Sequence, residues 1–252
     1  MSKTRIIVAG AAGRMGQRIV ATILSHPEAE LAGATESYES PFLGQDATIV
    51  CGCEPSHIMI SDRLEKIISP EDVVISFATP KASLQHLEIT AAQGRGIVIG
   101  TTGFSEEQKI QIEEGARKIP VVLAPNMSVG VNVLWKLVEQ TAKVLGDHFR
   151  VLVSETHHIK KIDAPSGTAV KIGEVLAKAL HKKYEEIPIK SIREGDVVGD
   201  HTTLFKSPEE TLEITHHAIS RDIFAKGAVK AALWVKKQRP ALYDMQDVLG
   251  LK

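Results

Sequence analysis

Residues 155–169 read Glu-Thr-His-His-Ile-Lys-Lys-Ile-Asp-Ala-Pro-Ser-Gly-Thr-Ala, and they crowd proton donors and fixed cations ahead of a helix start. A histidine transfers a proton near neutrality without tuning, and a lysine does so when it is desolvated or crowded by other cations. His157 and His158 are neighbours at the end of a strand, so their side chains diverge. One is expected to face a reaction and the other a substrate carboxylate. Lys161 is a candidate second acid, or a cation for developing negative charge. Ser166-Gly167-Thr168 heads an amphipathic segment, and the unpaired N–H groups where a helix begins hold a carboxylate or phosphate. Either half alone is more often polar surface or an ordinary helix start. Their direct succession describes a pocket for a small anionic substrate that must receive a proton.

The same chain opens with a nucleotide-binding pattern. Gly10-Ala11-Ala12-Gly13-Arg14-Met15-Gly16 lies between a first apolar strand, 5–9, and a helix-period segment with Met15, Ile19, Val20, Ile23 and Leu24 on one face. Glycines there allow a tight turn, close approach of backbone to a pyrophosphate, and close packing of helix on sheet. The spacing is a variant of the commonest fingerprint. It gains weight from Glu36 at the end of the second strand, where an acid binds a ribose hydroxyl pair. Gly100-Thr101-Thr102-Gly103 and Ala124-Pro125-Asn126-Met127 follow later strands, on the edge where an open parallel sheet holds its ligand.

These residues need a scaffold to position them. Strands at 30–36, 73–78, 96–100 and 121–124 alternate with helices near 81–93 and after Ser105, where Gln108 completes a capping box. That alternation predicts an α/β fold with a Rossmann-like, doubly wound parallel sheet. After about residue 126 the order changes. A helix at 128–145, a strand at 148–156 and a helix to about 182 precede three strand-like stretches near 187–193, 201–206 and 211–219. Such a run predicts a second domain with an antiparallel or mixed sheet, a mixed α/β unit. The expected division is 1–127 completed by 220–252, with 128–219 as the second domain. Segment 37–62 is poorly periodic and receives no assignment.

Composition narrows the function. The 252 residues carry 30 Lys and Arg against 31 Asp and Glu, a formal net charge of −1, so no global positive field draws nucleic acid or an anionic membrane. No segment is long enough to span a bilayer. Cys51 and Cys53 read as ordinary thiols of a reducing compartment, and a cytoplasmic protein is expected. A metal site built from His157, His158, His216 and His217 lacks a recognisable spacing, so no metal is expected.

The chain closely resembles the dihydrodipicolinate reductase family, also called the 4-hydroxy-tetrahydrodipicolinate reductases. The resemblance rests on Gly10–Gly16, Gly100–Gly103, Asn126–Asn132, His157–Thr168, Gly199-Asp200-His201 and Ser220–Ala228. It implies hydride transfer from NADH or NADPH to C4 of a cyclic conjugated imine, then protonation to tetrahydrodipicolinate, in the diaminopimelate route to lysine. It implies that His157 is the proton donor and acceptor, Lys161 a second donor, and His158, Gly167 and Thr168 substrate contacts. It also implies that the second domain, 128–219, binds substrate and builds a homotetramer, and that the C-terminal segment 220–252 returns to the first domain. In many relatives an arginine follows the residue matching Glu36; here Ser37, Tyr38 and Glu39 follow, which favours NADH or dual use, with Arg14 as a partial compensation. Two competing readings are another two-domain nicotinamide-dependent dehydrogenase and a non-catalytic NADH-sensing regulator. The first needs no Pro-Ser-Gly-Thr beside two histidines and a lysine. The second would usually carry a basic DNA-reading element, and none is present.

Overall fold

The computed structural model describes residues 2–252. Two compact units form: one takes the chain through Met127 together with Phe224–Gly250 and Lys252, the other Ser128–Ile223 with Leu251.

The first unit begins β1 (Thr4–Ala9), α1 (Arg14–Ser25), β2 (Ala29–Thr35), α2 (Ala47–Val50), β3 (Ile60–Ser61) and α3 (Leu64–Ile67). It continues with β4 (Asp72–Ser76), α4 (Pro80–Ala92), β5 (Ile97–Ile99), α5 (Glu106–Ala116) and β6 (Pro120–Leu123). The second unit holds α6 (Val129–Leu145), β7 (Arg150–His157), α7 (Gly167–Ala179), β8 (Ile189–Arg193), β9 (Gly199–Lys206) and β10 (Thr211–Ala218). The chain closes with α8 (Asp222–Val235), β11 (Ala241–Tyr243) and α9 (Met245–Leu249).

Seven strands of the first unit pair in the order β11-β6-β5-β4-β1-β2-β3, every pair parallel. Alternation along each strand serves both faces of this sheet. Ile6, Val8, Val73, Ile75, Val98 and Val122 pack with Ile19 and Ile23 of α1 and with the alanine-rich face of α8. Ile7, Ala9, Val74, Ile97, Ile99 and Val121 pack with Leu87 of α4 and Ile112 of α5. Strand order reverses between β1 and β4, and ligands bind such sheets in the crevice outside the carboxyl ends at that reversal. Ser105 and Gln108 do form a capping box at the start of α5.

The second unit carries a four-stranded mixed sheet, β10-β9-β7-β8, with β7 and β8 parallel and the other pairs antiparallel. The parallel pair needs a crossover, which α7 supplies. Val153 and Phe205 face α6 and α7 and bury against Leu134, Val138, Ile172 and Leu176. On the opposite face lie Leu152 paired with Leu204, Ser154 with Thr202, and Thr156 with Ile192.

Several expectations shift. Leu24 is 43% exposed and leaves the buried stripe of α1, whose core members are Ile19, Val20 and Ile23. The strand expected from 148 starts at Arg150, because Gly146–His148 form a 3-10 turn. Segment 37–62 is ordered by one carboxylate rather than by an apolar stripe. Asp46 accepts from Thr48 N, Ser56 N and His57 N and caps α2. Residues Ala241–Tyr243 form β11, which extends the parallel sheet beside β6. Three residues are too few to show a period in sequence.

Candidate active site

In the first unit, the nucleotide-site candidates begin with a loop made of main chain. Gly10 adopts φ +84°, and a Cβ there would stand 2.5 Å from Phe77 O. A Cβ on Gly16 would stand 1.9 Å from Gly10 O, so only glycine lets α1 begin this close to the loop. Gly13 caps α1 without a side-chain bond, and the first turn of α1 carries no acid. That arrangement suits an anion at the positive end of the helix dipole. Ala11 is buried, so it offers a ligand only its backbone, while Arg14 is exposed and Met15 half-buried. Glu36 follows β2 directly. Its Oε1 accepts from Ala12 N at 2.9 Å and its Oε2 from Ser37 N at 3.2 Å, which fastens the acid to the glycine loop.

The remaining nucleotide-site candidates stand after neighbouring strands of the same sheet. A Cβ on Gly100 would meet the Phe77 ring at 2.1 Å, so the missing side chain makes room for an aromatic ring. Thr101 is buried; its Oγ1 accepts from Ala78 N and reaches Ser83 Oγ at 2.7 Å. The chain of hydroxyls continues through Ser76 to His86 Nδ1 at 2.9 Å. Burial pushes the His86 pKa down to about 4. Thr102 is exposed beside it. Ala124 and Met127 are buried, with Pro125 exposed and Asn126 half-buried between them. A Cβ on Gly227 of α8 would lie 1.7 Å from Met127 O, so this helix packs tightly on the end of that segment. The Met127 side chain belongs to the core and leaves only its backbone for a ligand.

In the second unit, the candidate catalytic cluster is made of side chains. His157 ends β7 and is 8% exposed; its Nδ1 hydrogen-bonds Glu155 Oε2, two residues earlier on the same face. Glu155 is 1% exposed and also receives Arg193 Nη2 at 3.0 Å and Ser166 N at 3.3 Å on Oε1. Burial alone would raise the Glu155 pKa, but hydrogen bonds from Arg193, Ser191 and His157 hold it below the usual carboxylate value. For His157, burial pushes the pKa down; the Glu155 hydrogen bond and charge oppose this, and the Lys161 and Arg193 cations add to it. A Cβ on Gly199 would lie 2.9 Å from His157 Nε2, so the missing side chain makes room for the imidazole against the β9 backbone. His201 meets the His157 ring edge-on at 5.2 Å, and its pKa is pushed to about 4, chiefly by burial.

His158 turns away, with its Nε2 3.3 Å from Arg221 Nη2. Lys161 donates to Asp163 Oδ1 at 2.8 Å. Ser166 caps α7, accepting from Ala169 N, and its hydroxyl lies 3.2 Å from His201 Nε2. Gly167 is exposed and its missing Cβ faces open space, while the first turn of α7 holds no acid. Thr168 is half-buried in that turn.

Sequence reasoning missed Glu155, Arg193, His201 and Arg221 as members of this cluster. Glu155 had a signal, its i, i+2 spacing from His157 on a strand. His201 and Arg221 lay in the Gly199–His201 and Ser220–Ala228 stretches of the resemblance but received no role, and Arg193 had no signal, since β8 delivers it through cross-strand register. The only group of three potential metal ligands among the described residues is Glu155, His157 and His201, not the four histidines weighed from sequence. Arg193 already holds that carboxylate and Lys161 adds a second positive charge nearby, which counts against a cation.

Family models described as dihydrodipicolinate reductase, N-terminus and C-terminus match residues 4–127 and 130–249. The chain is 48% identical to the 4-hydroxy-tetrahydrodipicolinate reductase of Syntrophotalea carbinolica, across 98% of this chain and 99% of that one. It is 49% identical to the enzyme of the same name from Geotalea daltonii, again across 98% and 99%. The solved dipicolinate-bound dihydrodipicolinate reductase of Paenisporosarcina sp. TG-14 matches with TM-score 0.82 at 25% identity, covering 97% of this chain and 98% of its own. An amine dehydrogenase from Mycobacterium smegmatis, 12% identical with TM-score 0.62 and covering 96% of this chain and 94% of its own, shares the fold alone. Two matched halves, relatives near half identical from end to end, and a solved counterpart in the same architecture place this chain in the dihydrodipicolinate reductase family.

Proposed function

We propose that the protein reduces the cyclic imine derived from 4-hydroxy-tetrahydrodipicolinate to tetrahydrodipicolinate, in the diaminopimelate route to lysine. It is an NAD(P)H-dependent oxidoreductase. The observation that carries the site assignment is the buried Glu155–His157 pair at the end of β7, beside the start of α7.

The first unit is the dinucleotide-binding domain in this reading, and the second binds substrate. The Gly10–Met15 loop holds the pyrophosphate, Glu36 the adenosine ribose, and residues 100–102 and 124–127 line the nicotinamide side. When bound, the reduced nicotinamide supplies a hydride to C4 of the conjugated imine. His157, with Nδ1 engaged by Glu155, presents Nε2 as the proton-carrying atom. Lys161 is the second donor and offsets negative charge. His158 and the N–H groups at Gly167 and Thr168, with Ser166 capping the turn, receive the two carboxylates. The Paenisporosarcina relative was solved with dipicolinate, a planar dicarboxylate of this kind.

For the cofactor, Glu36 and Glu39 without an adjoining arginine favour NADH, or use of both nucleotides. For assembly, the sheet face carrying Leu152, Ile192 and Leu204 among threonines suits pairing with other copies, and a homotetramer is the proposed state. No described helix is long and apolar enough to cross a membrane, and a cytoplasmic enzyme without nucleic-acid or membrane partners is the proposed setting.

The direct test is oxidation of NADH and NADPH, side by side, with the product of the preceding synthase. Absence of turnover with both overturns the reading. A planar pyridine dicarboxylate should compete with the imine. Competition against the nucleotide instead would move the carboxylate site away from α7.

A further inference from the structure

Glu155 is an ionised carboxylate with almost no exposure, and such a group needs compensation by close partners. Its two oxygens divide the work. Oε2 accepts from His157 Nδ1, while Oε1 accepts from Arg193 Nη2 at 3.0 Å and Ser166 N at 3.3 Å. Arg193 is itself fixed, giving Nη1 to Ile192 O at 2.7 Å and Nη2 to Asp163 O at 2.5 Å. One side chain on β7 therefore touches the proton donor, the residue that caps α7, and a cation on β8.

We infer that Glu155 is a positioning residue that fixes the His157 tautomer and ties the proton donor to the carboxylate-binding start of α7 in one rigid unit. The inference rests on the reading of His157 as the proton donor. With Nδ1–H committed to Glu155, the exchangeable proton resides on Nε2, the ring nitrogen that packs toward Gly199. With Ser166 N held by the same carboxylate, a shift of His157 relative to the substrate anchor would break a buried charge-assisted bond.

The charged and titratable groups facing His157 are Glu155 on β7, Arg193 on β8, His201 on β9 and Lys161 in the following loop. Glu155 favours the protonated imidazole, whereas Arg193 and Lys161 oppose it. The reaction needs the protonated ring, so turnover falls as pH rises through the His157 pKa. Removing Glu155's charge should move that descending limb to lower pH, and removing Arg193's charge should move it to higher pH.

The experiment is the pH profile of kcat for the intact enzyme, Glu155→Gln, Arg193→Gln and His157→Gln. In Glu155→Gln the limb should fall by about one pH unit, kcat should drop on the order of tenfold or more, and KM for the nucleotide should hold. In Arg193→Gln the limb should rise. Opposite shifts are a result that general loosening of the sheet would not give. If Glu155→Gln does not fold, Arg193→Gln decides alone, and an unmoved limb there overturns the inference. Limbs that both stay, or both move the same way, overturn it too. Loss of the limb in His157→Gln with no movement in the other two leaves His157 as donor and removes only the role of Glu155. Persistence of the limb in His157→Gln removes the donor reading itself.

Discussion

In the glycine loop, the contacts that matter are between main-chain atoms. A Cβ at Gly16 would enter the Gly10 carbonyl, and no side chain caps the helix that follows. At the end of β7 the reverse holds, because Glu155, His157, Arg193 and His201 arrive as side chains from three different strands. The first arrangement fixes shape and leaves charge to the helix terminus. The second fixes charge and protonation and leaves shape to Gly199. A main-chain cradle tolerates no added atom, whereas a side-chain cluster tolerates no lost one.

The strongest way to break this contrast is to delete a side chain. His157→Gln should lower kcat by roughly two to four orders of magnitude, the scale of a lost general acid. NADH affinity measured by fluorescence titration should stay unchanged. Near-normal turnover would mean the proton comes from elsewhere. Next comes the addition of an atom. Gly16→Ala should weaken NADH binding by about ten- to a hundredfold, the equivalent of a 1–3 kcal/mol packing strain. Normal nucleotide affinity in that variant would show that the loop relaxes freely.

A smaller effect sharpens the boundary between the two kinds of site. Ser37→Arg adds a cation beside Glu36, the acidic side chain fastened to the backbone cradle. It should shift the ratio of kcat/KM values toward NADPH by about tenfold, since arginine pairs with phosphate oxygens. A wild-type enzyme that already prefers NADPH strongly would assign the phosphate to Arg14 and reverse the cofactor reading.

The smallest expected effect concerns stability. His86 in the first unit and His201 in the second both have pKa values pushed to about 4, so each is neutral in the fold. Unfolded histidine takes up its proton near pH 6.5, so the unfolded state binds more protons between about 6.5 and 4. Stability should be full above that window and decline as pH falls through it. His86→Asn should flatten the slope of Tm against pH across the window. A slope unchanged in that variant would mean that other groups set it.

Much of this was legible in the sequence. Glycine spacing marked the cradle, because main-chain contacts leave a trace in the residues that must be absent. The run from His157 to Thr168 marked the candidate acid site, because its members are consecutive. Arg193 lies 38 residues beyond Glu155 and was invisible, since only the β7–β8 register brings them together. Segment 37–62 was opaque for a related reason. Asp46 organises it through hydrogen bonds, with burial raising its pKa and bonds from Thr48 and His57 outweighing that to reach about 2. One carboxylate carries no periodic signal.

The placing of β11 has a consequence for how the chain is made. Its pairing with β6 brings residues 241–243 against 120–122, on either side of the whole second unit. A ribosome releases Ser128–Ile223 in a single uninterrupted stretch before α8 and β11 exist. The parallel sheet must therefore wait, with β6 as a bare edge and the alanine face of α8 still missing, while the mixed sheet can finish. Exposed strand edges invite pairing with other chains. The nascent protein is most vulnerable to aggregation in that interval, and it is the unit begun first that is completed last.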